Sequence, residues 1–99
     1  MNILGLDTST KTGWACETRG GAEPLSGTIV SKRLGDTTEN ALDRLFAYGL
    51  EVGRVIGLAD PDVVIMEGYG YGNPHTLATL VEFGTVARLK VLESRSKLI

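Results

Sequence analysis

The 99-residue sequence has one cysteine, one histidine and three prolines, and aromatic residues make up only 6% of it. A lone Cys16 excludes an intrachain disulfide and any multi-cysteine zinc site. It fits a reducing, intracellular compartment, and the expected role of Cys16 is that of a small buried strand residue. No apolar run is long enough to span a membrane, and the N-terminus lacks a basic segment followed by an apolar one. A cytoplasmic location without membrane contact is therefore expected. Charge of one sign is also scarce: ten Lys and Arg face twelve Asp and Glu, for a net charge of −2. Charge alone does not announce a nucleic-acid-binding protein, although a local basic patch is compatible with it. Repeats, low-complexity tracts and linkers are missing too, so the length predicts a single domain over residues 1–99.

What is present is a pair of short apolar runs, each closed by one carboxylate. Ile3-Leu4-Gly5-Leu6 ends at Asp7, and Val63-Val64-Ile65-Met66 ends at Glu67. Both read as buried strands. Strands side by side lie roughly 4.8 Å apart, which brings two such carboxylates within reach of one divalent metal ion. Carboxylates at strand ends are a common basis for metal-dependent phosphodiester chemistry. Each also opens a loop rich in small and hydroxyl residues: Thr8-Ser9-Thr10-Lys11-Thr12-Gly13 and Gly68-Tyr69-Gly70-Tyr71-Gly72-Asn73. Function concentrates on such loops.

Strands are predicted over residues 2–7, 13–18 and 26–32, with turn chemistry at 19–24. Short connections favour an antiparallel meander of the three. A helix is predicted over about 38–58, with Asp36 and Glu39 at capping-box spacing and Thr37 or Thr38 as the alternative cap. Its inward face is predicted to be Leu42, Leu45, Phe46, Gly49, Val52, Gly53 and Ile56. The two glycines suggest close approach to a sheet. Asp60-Pro61 stops the helix. The fourth strand, 62–67, is continuously apolar, as for a strand covered on both faces. Strand, helix and such a strand form a right-handed crossover, which makes strand four parallel to strand one. Asn73-Pro74 then starts a second helix to about 93, with Leu77, Leu80, Val81, Gly84, Ala87 and Val91 inward. The tail from Ser94 reads as polar and basic up to its last two residues, which leaves the apolar fourth strand as an open edge prone to association.

This order resembles the first two-thirds of the ribonuclease H-like fold: a mixed α/β sheet, strands one to three antiparallel, strand four parallel to strand one, and a crossover helix. Residues 3–14, Ile-Leu-Gly-Leu-Asp-Thr-Ser-Thr-Lys-Thr-Gly-Trp, resemble the opening of RuvC-type Holliday-junction resolvases. Residues 62–72, Asp-Val-Val-Ile-Met-Glu-Gly-Tyr-Gly-Tyr-Gly, resemble their second motif. The following helix, with Thr76, Leu77, Ala78, Leu80, Gly84 and Arg88, is similar to theirs. The resemblance implies a homodimeric endonuclease that uses Mg²⁺ or Mn²⁺ to cut four-way DNA junctions. It makes Asp7 and Glu67 metal ligands and catalytic residues, and places Tyr69 or Tyr71 where the family probes the junction.

Candidate DNA contacts are Thr8, Ser9 and Lys11 in the first loop and Tyr69, Tyr71 and Asn73 in the second. Hydroxyls, amides and a cation suit phosphate, and aromatic faces suit unpaired bases. The bland readings are turn-forming hydroxyls, a loop-tip charge and tyrosines packed over a sheet edge. His75 reads as a surface residue and Trp14 as core. The family completes its metal site on a final helix after a fifth strand. Beyond Glu67 only Glu82 and Glu93 carry carboxylates, and neither sits in such a motif. The expectation is a partial domain, incomplete at its C-terminus, with part of the metal site. The alternatives are a non-catalytic partner subunit of the actin-like ATPase or TsaB type, and a small binding or dimerisation domain. ATP binding in the actin-like fold needs a second Asp-x-Gly loop, and no Asp here precedes Gly at that spacing. A dinucleotide-binding loop is rejected as well, since Gly68-x-Gly70-x-Gly72 lacks the final spacing and follows the fourth strand.

Overall fold

The computed structural model describes residues 1–17, 25–66, 74–94 and 96–98. Its elements are β1 (Ile3–Asp7), β2 (Lys11–Glu17), β3 (Leu25–Val30), α1 (Thr38–Ala59), β4 (Val63–Met66), α2 (Pro74–Glu93) and β5 (Lys97–Leu98). The sheet order is β3-β2-β1-β4-β5. β1 pairs antiparallel with β2, and β2 with β3. β4 runs parallel to β1, with Ile3 opposite Val63 and Leu6 opposite Met66. The predicted meander and crossover are thus present.

The register of β1 against β4 is fastened at its start. The Asn2 N–H donates to Asp62 Oδ2 at 2.7 Å, and the Asn2 carbonyl accepts from the Asp62 N–H at 2.9 Å. The Asn2 side-chain amide donates to the carbonyls of Ala59 and Asp60. One residue therefore ties the entry of β1 to the end of α1 and the entry of β4. The helix stops there because Asp60 adopts a left-handed conformation, φ 43°, with its N–H on the Ile56 carbonyl. Asp tolerates that conformation better than most residues, and Pro61 prevents continuation.

Alternation on β1 sends Leu4 and Leu6 to one face. The registers add Cys16, Ile29 and Val64 to that face. Both helices cover it: Tyr48, Val52, Val55, Ile56 and Ala59 come from α1, and Phe83, Ala87 and Val91 from α2. Trp14 lies partly buried on the same face, its indole across Gly27; a Cβ there would come within 2.8 Å of the ring. Cys16 is buried, as expected, and desolvation pushes its thiol up.

Several expectations need correction. The N-cap of α1 is Thr37, whose hydroxyl accepts from the Asn40 N–H at 3.1 Å, while Asp36 pairs with Arg33. The inward face of α1 is rotated from the predicted one: Phe46 is 71% exposed and Leu42 is exposed, while Tyr48 is buried. The helix carries two apolar stripes, and the one with Tyr48, Val52, Val55, Ile56 and Ala59 is buried in the core. On α2, Phe83 is buried where Val81 was expected, and the Leu77 side chain lies outside the described residues. Gly49 approaches α2 instead of the sheet; a Cβ there would meet Val86 and Lys90 side chains at 3.1 Å. β4 is covered on one face only, and Ile65 is 45% exposed on the other.

The tail is also not a free polar end. β5 pairs with Val63 and Val64, and Leu98 packs against the core. Ser94 and Ser96 shape the chain between α2 and β5: Ser96 Oγ donates to the Pro61 carbonyl at 2.7 Å, and the Ser96 N–H to Ser94 Oγ. The first half of the β4 edge is therefore paired, which overturns the expected open edge there. Among the described residues, no helix is long and apolar enough to cross a membrane.

Two phenylalanines test the burial assignment. Phe83→Ala should lower stability by about 3–5 kcal/mol, as for buried aromatics, and Phe46→Ala by no more than about 0.5 kcal/mol. Urea unfolding midpoints check this, and equal losses would contradict it. Tyr48 supplies a pH test. Burial holds its phenol above the ordinary value. The folded state therefore favours the protonated phenol. That contribution is complete below about pH 10 and is lost as pH rises through the folded value. Thermal midpoints between about pH 8 and about pH 11 should fall less steeply in Tyr48→Phe than in the parent. Identical alkaline slopes would contradict the assignment.

Candidate functional site

Asp7 is the last residue of β1, opposite Gly13 of β2, and its side chain is exposed. Among the described residues its carboxylate makes no hydrogen bond or ion pair. The strand places it reliably, because Leu4 and Leu6 are anchored in the core on the opposite face.

The turn after Asp7 is built by side chains. Ser9 Oγ donates to the Lys11 carbonyl at 2.7 Å and accepts from the Lys11 N–H at 3.1 Å. Thr12 closes the other side. Its hydroxyl donates to the Ser9 carbonyl at 2.8 Å and accepts from the Ser9 N–H at 3.1 Å. A third contact joins Thr12 Oγ1 to the Tyr48 hydroxyl at 2.7 Å. A hydroxyl has one hydrogen and two lone pairs. With the Thr12 hydrogen directed to Ser9, Tyr48 must be the donor. Thr12 is the one buried polar residue among the described residues, and its hydrogen-bonding capacity is fully used. The Thr10 carbonyl is also held, by the Ser31 N–H at 2.9 Å.

These bonds separate the predicted loop contacts. Both donors of Ser9 point inward, to Lys11 and Thr12, so Ser9 shapes the turn. Thr8 is half-buried, and Lys11 is exposed at the start of β2. Thr12 and Tyr48 were not foreseen. The Ser9-x-x-Thr12 spacing is a local signal of a hydroxyl-closed turn, but nothing in the sequence links it to Tyr48.

β4 ends at Met66, directly beside Leu6. Glu67, Tyr69, Tyr71 and Asn73 lie outside the described residues. Asp7 also borders an open groove of about 410 Å³ on the uncovered sheet face, where Gly5, Gly13, Ala15 and Ile65 contribute to the lining. Small residues there leave a shallow apolar trough that ends at a carboxylate. Among the described residues no three His, Cys, Asp or Glu side chains gather as a metal cluster. The Asp7 carboxylate offers hard oxygen donors of the kind Mg²⁺ and Mn²⁺ prefer.

No family model and no curated protein matches the sequence. Solved structures do. RuvC of Thermus thermophilus in complex with a Holliday junction substrate aligns with a TM-score of 0.81 at 15% identity. The alignment covers 99% of this chain and 62% of that one. A second Thermus thermophilus RuvC structure aligns with a TM-score of 0.74 at 15% identity, over 99% and 61% of the two chains. The chain thus spans about three-fifths of the length of these relatives. YeaZ from Pseudomonas aeruginosa aligns at 21% identity with a TM-score of 0.46, over 99% of this chain and 42% of that one, too distant to carry an argument. The strand order, the parallel β1–β4 pair and the two helices agree with the RuvC match: the chain has the ribonuclease H-like fold of RuvC.

Proposed function

We propose that this chain carries part of the metal site of a divalent-metal-dependent, structure-selective endonuclease of the Holliday-junction resolvase type, acting on branched DNA. One observation carries the reading: Leu6 of β1 is paired in parallel register with Met66 of β4. Asp7 and Glu67 are the next residues on each strand. If the pairing continues by one residue, strand spacing of roughly 4.8 Å sets the two carboxylates beside one ion. The likeness to a RuvC solved with a Holliday junction substrate supports a four-way junction as the DNA partner. A homodimer follows from the same resemblance, and a reducing cellular interior suits the single cysteine.

Asp7 and Glu67 would hold Mg²⁺ or Mn²⁺. The exposed Asp7 carboxylate, without a hydrogen bond among the described residues, fits that task. When bound, such an ion supplies an activated water and stabilises the leaving oxygen in line. Lys11 would neutralise a backbone phosphate, and Thr8 and Ser9 would help present the turn to it. Tyr69 and Tyr71 would stack on unpaired bases, at about 1–3 kcal/mol each, with Asn73 beside them on the same loop. Two carboxylates hold one hydrated ion, and a two-metal site needs more donors.

The test uses a labelled four-way junction with Mn²⁺ titration alongside. Junction binding should be weak and fall with salt on a shallow slope, because few basic residues meet phosphate. Mn²⁺ binding should be weak and absent in Asp7→Asn, with the thermal midpoint unchanged. Cutting by the chain alone should be slow or undetectable. Absence of junction binding at low salt would refute the reading. So would two tightly held ions indifferent to Asp7→Asn.

A further inference from the structure

A helix and the turn beside Asp7 are joined through two hydroxyls, those of Tyr48 and Thr12. We propose that Tyr48 and Thr12 are positioning residues for the Asp7 site, an inference that rests on the metal-binding reading above. Tyr48 is buried on α1, and its ring meets Phe83 of α2 edge-on, with centroids 4.5 Å apart. Phe83 is in turn capped by the Arg44 guanidinium, 5.2 Å from the ring centroid. Arg44 is itself fixed by Ser31, through Nε to the hydroxyl and Nη2 to the carbonyl. The Tyr48 hydroxyl is therefore held from several sides before it reaches Thr12.

From Thr12 the chain of contacts is short. Oγ1 grips Ser9 by both its N–H and its carbonyl. Ser9 lies two residues from Asp7 and closes the turn onto Lys11. The same Ser31 that holds Arg44 donates its N–H to Thr10. The turn between Asp7 and Lys11 is thus bound at Ser9, Thr10 and Lys11, while the Asp7 side chain is exposed and makes no hydrogen bond among the described residues. A metal ligand needs a fixed backbone and an exposed carboxylate, and this arrangement provides both. The supporting groups act through the turn and touch no ligand. Ligand constellations held this way depend on their supporting shell to within fractions of an ångström.

The two hydroxyls have different substitutes. Thr12→Ser keeps the oxygen and should keep the function. Thr12→Val removes it while keeping shape, and Tyr48→Phe removes only the donor. The experiment compares these three with the parent chain by NMR, using amide hydrogen exchange at Ser9 and the ¹³Cγ shift of Asp7, with Mn²⁺ alone as the titrant. Thr12→Val, which removes the acceptor of the Ser9 N–H, should speed exchange at Ser9 about tenfold or more over the change at core amides such as Val52, the span of one lost hydrogen bond near 1.4 kcal/mol, and Tyr48→Phe should speed it by a smaller factor in the same direction. Both should move the Asp7 ¹³Cγ shift and weaken Mn²⁺ binding severalfold. Thr12→Ser should match the parent in all three.

A purely structural role would accelerate all amides together and leave the Asp7 shift in place, and that result overturns the proposal. Equal losses in Thr12→Ser and Thr12→Val overturn it too. If the parent binds no Mn²⁺, the metal reading fails by itself. The positioning role then stands or falls on the Ser9 exchange and the Asp7 shift, which need no metal.

Discussion

The parallel pairing of β1 with β4 is the constraint on which the rest of the structure depends. Asn2 sets it, using its backbone and side-chain amides on Asp62, Ala59 and Asp60. A slip of one residue would leave Leu4 and Leu6 facing the opposite side of the sheet from Val64, so one strand or the other would turn its apolar set out of the core. The clamp therefore does two jobs. It commits the apolar face to the helices, and it fixes which residues follow β1 and β4 at the same end of the sheet. The crossover helix α1 and the left-handed Asp60 that ends it deliver β4 to that register.

The two faces of the sheet divide the work. One is closed by α1 and α2 and carries the core. The other is open beside Gly5, Gly13, Ala15 and Ile65 and leads to Asp7. The turn at the end of the open face is controlled from the closed face, since Thr12 and Tyr48 lie on the helix side. Stability and the candidate chemistry are thereby linked without sharing residues. Asp7 makes no hydrogen bond among the described residues, while Thr12 uses every one it can make.

Much of this was legible in the sequence, and the failures have physical causes. The runs ending at Asp7 and Met66 are short, apolar and bounded by turn residues, so their strand character is local information. The parallel pairing follows once a helix carries the chain back to the end of the sheet where it started, and chirality then sets only the hand of that crossover. The phase of α1 was not legible because Leu42, Phe46 and Leu50 form a second apolar stripe at four-residue spacing. Only tertiary contact, with the sheet and with α2, chooses between the stripes. β5 escaped because two residues carry no periodicity, and their pairing depends on Ser94, Ser96 and the packing of Leu98. At the candidate site, a carboxylate at a strand end announces itself, whereas the support beneath it is assembled from three separate segments. The second half of the expected site, Glu67 with Tyr69, Tyr71 and Asn73, lies outside the described residues.

The central claim is that Asp7 and Glu67 share one metal ion. The most direct measurement is anomalous diffraction from crystals of the chain grown with Mn²⁺. The account predicts a single Mn²⁺ peak at about 2.0–2.6 Å from an oxygen of each carboxylate. Carboxylates more than about 10 Å apart, beyond the reach of any one ion with metal–oxygen bonds of that length, would contradict it.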